Sequence, residues 1–206
     1  MLNSIYKIYN RLATGKIQTE PCLPGPFGYK TAWYAIKGET PQAVMQKLGL
    51  NELCVANWES GIGYVYANEG DVFVTPEIDG YVLVIGLPRD INFSQQHGGL
   101  FDELQHFVSN SVWDYYAWAK FTNGTLVRTY CACAETGEVT SDGEITTQEL
   151  QLGLDNLPPI AGGLEGNSEH AYEQAVLLLA KAWGIDTLFP DEQRYDKSAG
   201  WLCRFK

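Results

Sequence analysis

The chain has 206 residues, 45% of them hydrophobic and 19% charged, with a formal net charge of −11. That length suits one domain with short additions, and the composition is that of a folded chain. The charge repels nucleic acid and anionic membranes and attracts cationic partners, and no stretch approaches the ~20 apolar residues that cross a bilayer.

The charge is unevenly spread. Residues 48–180 carry nineteen Asp and Glu against three bases, Arg89, Lys120 and Arg128, whereas the segments before and after are net basic. Aromatic residues, six Trp and twelve Tyr among them, exceed what a core of this size requires, so some are expected to line a groove or interface. The five cysteines, Cys22, Cys54, Cys131, Cys133 and Cys203, follow no framework spacing. With no signal-peptide pattern at the start, they read as reduced thiols in the cytoplasm.

In chain order, Leu2, Ile5, Tyr6, Tyr9 and Leu12 recur at helical spacing and predict an N-terminal helix within residues 1–20. Residues 21–206 form the single domain. Pro21, Pro24, Gly25, Pro26 and Gly28 make a loop, and Thr31–Lys37 a strand. Thr40 as N-cap and Pro41 at the first position start a helix that Gly49 ends. Ser60-Gly61-Ile62-Gly63 lacks the third glycine and the following helix of a dinucleotide fingerprint, so these read as turn glycines. Val72–Thr75 and Tyr81–Ile85 flank Asp79-Gly80, a type I′ hairpin signal that sets Val74 opposite Ile85 and Thr75 opposite Val84. Pro76 cannot donate to a ladder and marks an edge strand or a bulge.

Leu100, Leu104, Phe107 and Val108 predict a short helix over Gly99–Ser109. Asn123-Gly124 joins a second hairpin, Trp113–Phe121 with Thr125–Ala134. Pairing Phe121 with Leu126 puts Ala117, Ala119, Tyr130 and Ala132 on one face, with Trp118, Cys131 and Cys133 on the other. Both faces are largely apolar, which places the pair centrally. Glu138–Thr140 reads as a short third strand. Residues 151–167, rich in Gly and Pro, read as a linker. Ser168 then caps a helix over 169–183 that Gly184 stops. The order predicts α+β: one domain with a mainly antiparallel sheet built from two hairpins and about four flanking helices.

No motif assembles a reaction, cofactor or metal site. Cys131-Ala132-Cys133 offers half a zinc site with no second pair, so both read as buried small residues. Glu103-x-x-His106 is one ExxH spacing where a di-metal centre needs two. Glu135, Glu138, Asp142, Glu144 and Glu149 cluster with no base between Arg128 and Lys181. They read either as a solvated face or as a docking surface for a basic protein.

The segment Asp71–Pro76 (DVFVTP), with Gly80–Gly86 (GYVLVIG), resembles an uncharacterised bacterial family with a VFVTP…G-x-LVxG core. Leu126-Val127-Arg128, Gly143 with Thr147–Leu150, and Leu178–Trp183 followed by Ile185-Asp186 fit the same pattern, so the resemblance spans about residues 27–189. Tyr81 stands where that family is expected to carry Trp, a departure affecting packing. The resemblance transfers no catalytic residue. It implies an immunity-type protein from bacteria bearing polymorphic toxin systems.

The expectation is therefore a non-catalytic cytoplasmic binding protein of immunity or antitoxin type. Its acidic surface, Glu135, Glu138, Asp142, Glu144 and Glu149, masks a basic toxin; no cofactor, nucleic acid or membrane is involved. The alternative is a small-molecule binder or hydrolase, its pocket lined by Trp58, Tyr64, Tyr66 and Trp118 with Glu59 or Asp114 as acid or base.

Overall fold

The computed structural model describes residues 16–158 and 167–206. The expected N-terminal helix, and residues 159–166 of the expected linker, lie outside them. Nine strands form one open, wholly antiparallel sheet: β1 (Thr31–Lys37), β2 (Leu50–Asn57), β3 (Asp71–Val74), β4 (Tyr81–Ile85), β5 (Glu103–Asn110), β6 (Tyr115–Thr122), β7 (Thr125–Cys133), β8 (Glu138–Asp142) and β9 (Ala199–Phe205). Their order is β2-β9-β3-β4-β1-β5-β6-β7-β8. The fold is the expected single-domain α+β class, with a sheet much larger than two hairpins. Among the described residues four α-helices flank it: α1 (Pro41–Lys47), α2 (Trp58–Ala67), α3 (Thr147–Gln151) and α4 (Asn167–Ala182).

Alternation along the central strands divides the interior into two layers. Trp33, Phe73, Leu83, Ile85, Phe107 and Trp118 face a layer shared with α2 and α4. Tyr34, Val74, Val82, Val84, Leu104 and Val108 face the opposite layer, shared with α1 and the 3₁₀ segment Ile91–Gln96. Because helical elements cover both faces, β1 and β4 read as unbroken apolar runs. In α4 the helical period sets Tyr172, Val176 and Leu179 against the sheet. Beyond it, Gly184 adopts φ +125, and a Cβ there would lie 2.6 Å from Tyr81 Oη. That hydroxyl donates to the Trp183 carbonyl at 2.9 Å. Tyr81 thus ties β4 to the helix end, a role beyond packing.

β1 and α1 form as expected, with Thr40 Oγ1 accepting from Ala43 N–H at 3.2 Å. The first hairpin has its Asp79-Gly80 turn, φ +52 and +82, as type I′ requires. Its register differs from expectation: Ile78 faces Tyr81, but Val74 faces Val84 and Phe73 faces Ile85. One extra residue bulges out around Pro76, so β3 is an interior strand rather than an edge. The second hairpin begins with Phe121 opposite Leu126, then shifts at Lys120 so that Trp118 faces Tyr130. That bulge moves Tyr130 and Ala132 to the Trp118 face and sets Cys131 beside Ala117, reversing the expected faces.

Three further expectations fail. Gly99–Ser109 is no helix but a 3₁₀ turn leading into β5, a fully paired interior strand. Gly61 and Gly63 are not in a turn; they lie within α2, whose Asn57 cap accepts from Ser60 N–H at 2.9 Å. Helix α4 begins at Asn167, so Ser168 lies inside it, and the nominal linker contains the 3₁₀ segment Leu154–Asn156.

Candidate functional site

The structure puts four of the five expected partner-binding carboxylates along one exposed border. Among the described residues β8 pairs only with β7, so it ends the sheet, and all five of its residues are exposed. Glu138 and Asp142 stand at its two ends. Glu135 lies in the turn leading in and Glu144 in the loop leading out, both exposed. None of the four takes part in an ion pair among the described residues. The register with Cys133 and Thr129 aims Glu138 and Asp142 to one face, while Val139 and Ser141 take the other. Val139, 50% exposed, is an apolar step on this polar border.

Glu149 does not belong to that surface. It is fully buried at the third position of α3, where it completes a capping box with Thr146. Its Oε1 accepts from Trp118 Nε1 at 2.8 Å and from Arg128 Nε at 2.9 Å. Arg128 Nη1 in turn donates to Ser141 Oγ at 2.7 Å and to the Asp142 and Gly143 carbonyls. Such a pair holds because every desolvated charge is met; removing one partner typically costs about 3–5 kcal/mol. Glu149 therefore anchors α3 to β6, β7 and β8 instead of facing a partner. The Thr-x-x-Glu spacing of residues 146–149 is the capping-box signal that marks this in the sequence.

At the end of the sheet where β8 begins, the β5–β6 turn projects Val112 and Trp113, 65% and 62% exposed. Asp114 follows with φ +46. These three, with Ala134 and Glu135, line one shallow recess. The exposed indole and the acidic turn are therefore contiguous. Composition had pointed to aromatics outside the core, but nothing in the sequence singled out Trp113.

The alternative pocket does not assemble. Trp58 and Trp118 are completely buried. Trp58 donates to Ser198 Oγ at 3.0 Å and packs on Phe73 and Phe189, whereas Trp118 stacks on Tyr130. Tyr64 donates to Asp71 at 3.2 Å, and the Tyr66 hydroxyl donates to the Tyr29 carbonyl. Glu59 is exposed on α2, and Asp114 sits in the β5–β6 turn.

Glu103 and His106, three apart on a strand, point to opposite faces. Glu103 accepts from Gln105 at 2.8 Å on the α4 side. His106 lies edge-on to Tyr34 on the other side, and Tyr34 Oη is 3.0 Å from His97 Nδ1. Complete burial lowers the His106 pKa to about 3, and partial burial lowers that of His97, so both imidazoles are neutral at pH 7. Cys131 and Cys133 are half-buried free thiols, and burial raises the Cys131 pKa. No group of three or more potential ligands for a metal occurs among the described residues, and no helix there is long and apolar enough to cross a membrane.

Comparison of the chain with protein-family models, curated proteins and solved structures finds no match.

Proposed function

We propose that this chain is a cytoplasmic binding protein of immunity type, which engages a cationic protein through the β8 border and Trp113. One observation carries the reading: among the described residues Glu135, Glu138, Asp142 and Glu144 are exposed and outside any ion pair along the edge strand, beside an exposed Trp. Carboxylates on an edge strand repel a second copy of the same strand. The same charges speed encounter with a basic surface. A large indole beside them provides the kind of apolar anchor that dominates interface energies. Masking the basic cleft of a toxin fits this combination, as does the resemblance read from the sequence.

The test is a purified pair. The partner is captured from the native host with the full chain, identified, and its affinity measured against salt concentration. The expected partner is basic, and binding weakens by at least about tenfold between low and high salt. Trp113→Ala and the charge reversal Glu135→Lys/Glu138→Lys each weaken it by about tenfold or more without changing thermal stability. An acidic partner, or a pair indifferent to salt and to both variants, would overturn the proposal.

A further inference from the structure

The two borders of the sheet differ. At β2 the ladder to β9 slips between Glu52 and Cys54, and the Asn57 N–H donates to the Gln18 carbonyl at 2.7 Å. A bulge and a covering loop are two ways of blunting an edge. At β8 all five residues keep an unbroken register with β7, from Thr129↔Asp142 through Cys133↔Glu138, and no further strand pairs with them among the described residues. Every second residue of such a strand turns its N–H and C=O away from the sheet, a template for one more strand.

Alternation gives the two sides of this border different chemistry. On one side Glu138 and Thr140 line a groove of about 510 Å³ that runs from β8 to the 3₁₀ segment Ile91–Gln96. Asp90 adds a second carboxylate to it, and no base is among the described residues that line it. Leu126 and Cys131, both half-buried, lend it apolar surface against which the alkyl stem of a Lys or Arg packs. On the other side Val139 lines a recess of about 470 Å³ with Tyr130, Ile145, Leu154 and Leu157. Val139 and Ile145 are 50% and 37% exposed, so apolar surface is left open there, and the one base in that recess, Arg128, is already engaged by Glu149.

We propose that β8 takes up an extended segment of the cationic partner as an added strand, with Lys or Arg side chains on the Glu138–Asp142 side and small apolar side chains on the Val139 side. The inference deepens the masking function proposed above and rests on it, because that reading supplies the partner's charge. In strand addition the main-chain bonds hold the segment, and the surfaces met by its alternate side chains select it. The carboxylates that repel a second β8 attract a strand of opposite charge. The site is the backbone edge, and the charges choose what occupies it.

The experiment titrates the full chain with the end-blocked, labelled peptide Lys-Val-Lys-Val-Lys-Val-Lys and its block form Lys-Lys-Lys-Lys-Val-Val-Val, read by fluorescence anisotropy and amide hydrogen exchange. The alternating peptide is expected to bind at least about tenfold more tightly than the block form and to slow exchange at β8 amides. N-methylating its two alternate sets of residues, one set at a time, should cost about tenfold or more for one of them. Glu138→Lys weakens binding by about fivefold or more at low salt. Glu192→Lys, the same change in net charge in the exposed 3₁₀ turn Glu192–Arg194, leaves it unchanged. Equal binding of the two peptides, no added protection of β8, tolerance of both methylation patterns, equal effects of the two variants, or no binding at millimolar concentration would each overturn strand addition. Those outcomes leave the masking function standing, since a folded basic surface can meet the same border; that function falls instead on an acidic or salt-indifferent partner.

Discussion

His106 shows how a single buried side chain ties stability to pH. Neither ring nitrogen makes a well-formed hydrogen bond among the described residues, the Ile91 backbone offsets the cost of burial only in part, and the side chain is fully buried. Its folded pKa of about 3 lies below the ~6.5 of an unfolded histidine. Between those values the unfolded chain holds the extra proton, so stability is complete above the unfolded pKa and declines as the pH falls through the window. The loss amounts to about 2 kcal/mol between pH 7 and pH 5 from this residue alone. His106→Leu removes both unpartnered nitrogens, so urea unfolding at the two pH values should show the variant losing about 2 kcal/mol less than wild type. A variant with an unchanged acid slope would assign the pH dependence elsewhere. His97, half-buried against Tyr34 and Phe93, acts in the same direction.

At the scale of elements, α2 is decided by glycine. A Cβ on Gly61 would lie 2.4 Å from the Phe73 ring, and one on Gly200 in β9 would lie 2.3 Å from the Val74 carbonyl. Gly61→Ala gains about 1 kcal/mol of helix propensity, against about 1–3 kcal/mol for forcing an atom into a packed core. Phe73 is fully buried and cannot swing aside, so the variant should be net less stable, by up to about 2 kcal/mol in urea denaturation. Gly61 helped hide the helix from sequence reading, because its role is a close approach to Phe73 that only the folded sheet reveals. β5 was misread for the converse reason. Gln105, His106, Ser109 and Asn110 are all buried, so polar residues interrupt an interior strand and leave its apolar positions at helical spacing. Elements with local signals, such as the Thr40-Pro41 helix start and the two Gly turns, were legible. Register was not, since the bulges at Pro76 and Lys120 cost no local signal beyond the proline itself. Of the acidic border, exposure of four carboxylates followed from their Gly- and Thr-rich surroundings, whereas the burial of Glu149 depended on Arg128, a residue 21 positions away.

For the whole molecule, the organising fact is the position of β9. It inserts between β2 and β3, pairing from Leu50↔Phe205 through Asn57↔Ala199 on one side and from Asp71↔Arg204 through Val74↔Trp201 on the other. Arg204 reinforces the second ladder by pairing with the buried carboxylate of Asp71, which lowers the Asp71 pKa. Without β9, strand β2 has no neighbour among the described strands, and the inner face of α2 loses Leu202. Deleting residues 199–206 should therefore abolish the single cooperative thermal transition and expose apolar surface to a hydrophobic dye; a truncated chain that melts sharply near the wild-type temperature would show that the sheet closes without it. The order of synthesis sharpens the point. Every other described strand has left the ribosome before this one, so the nascent sheet waits with an unfilled slot one strand in from its edge. During that interval the unpaired edges of β2 and β3 are open to any passing extended chain, and the speed with which the last strand is delivered governs how much of the newly made protein escapes mispairing.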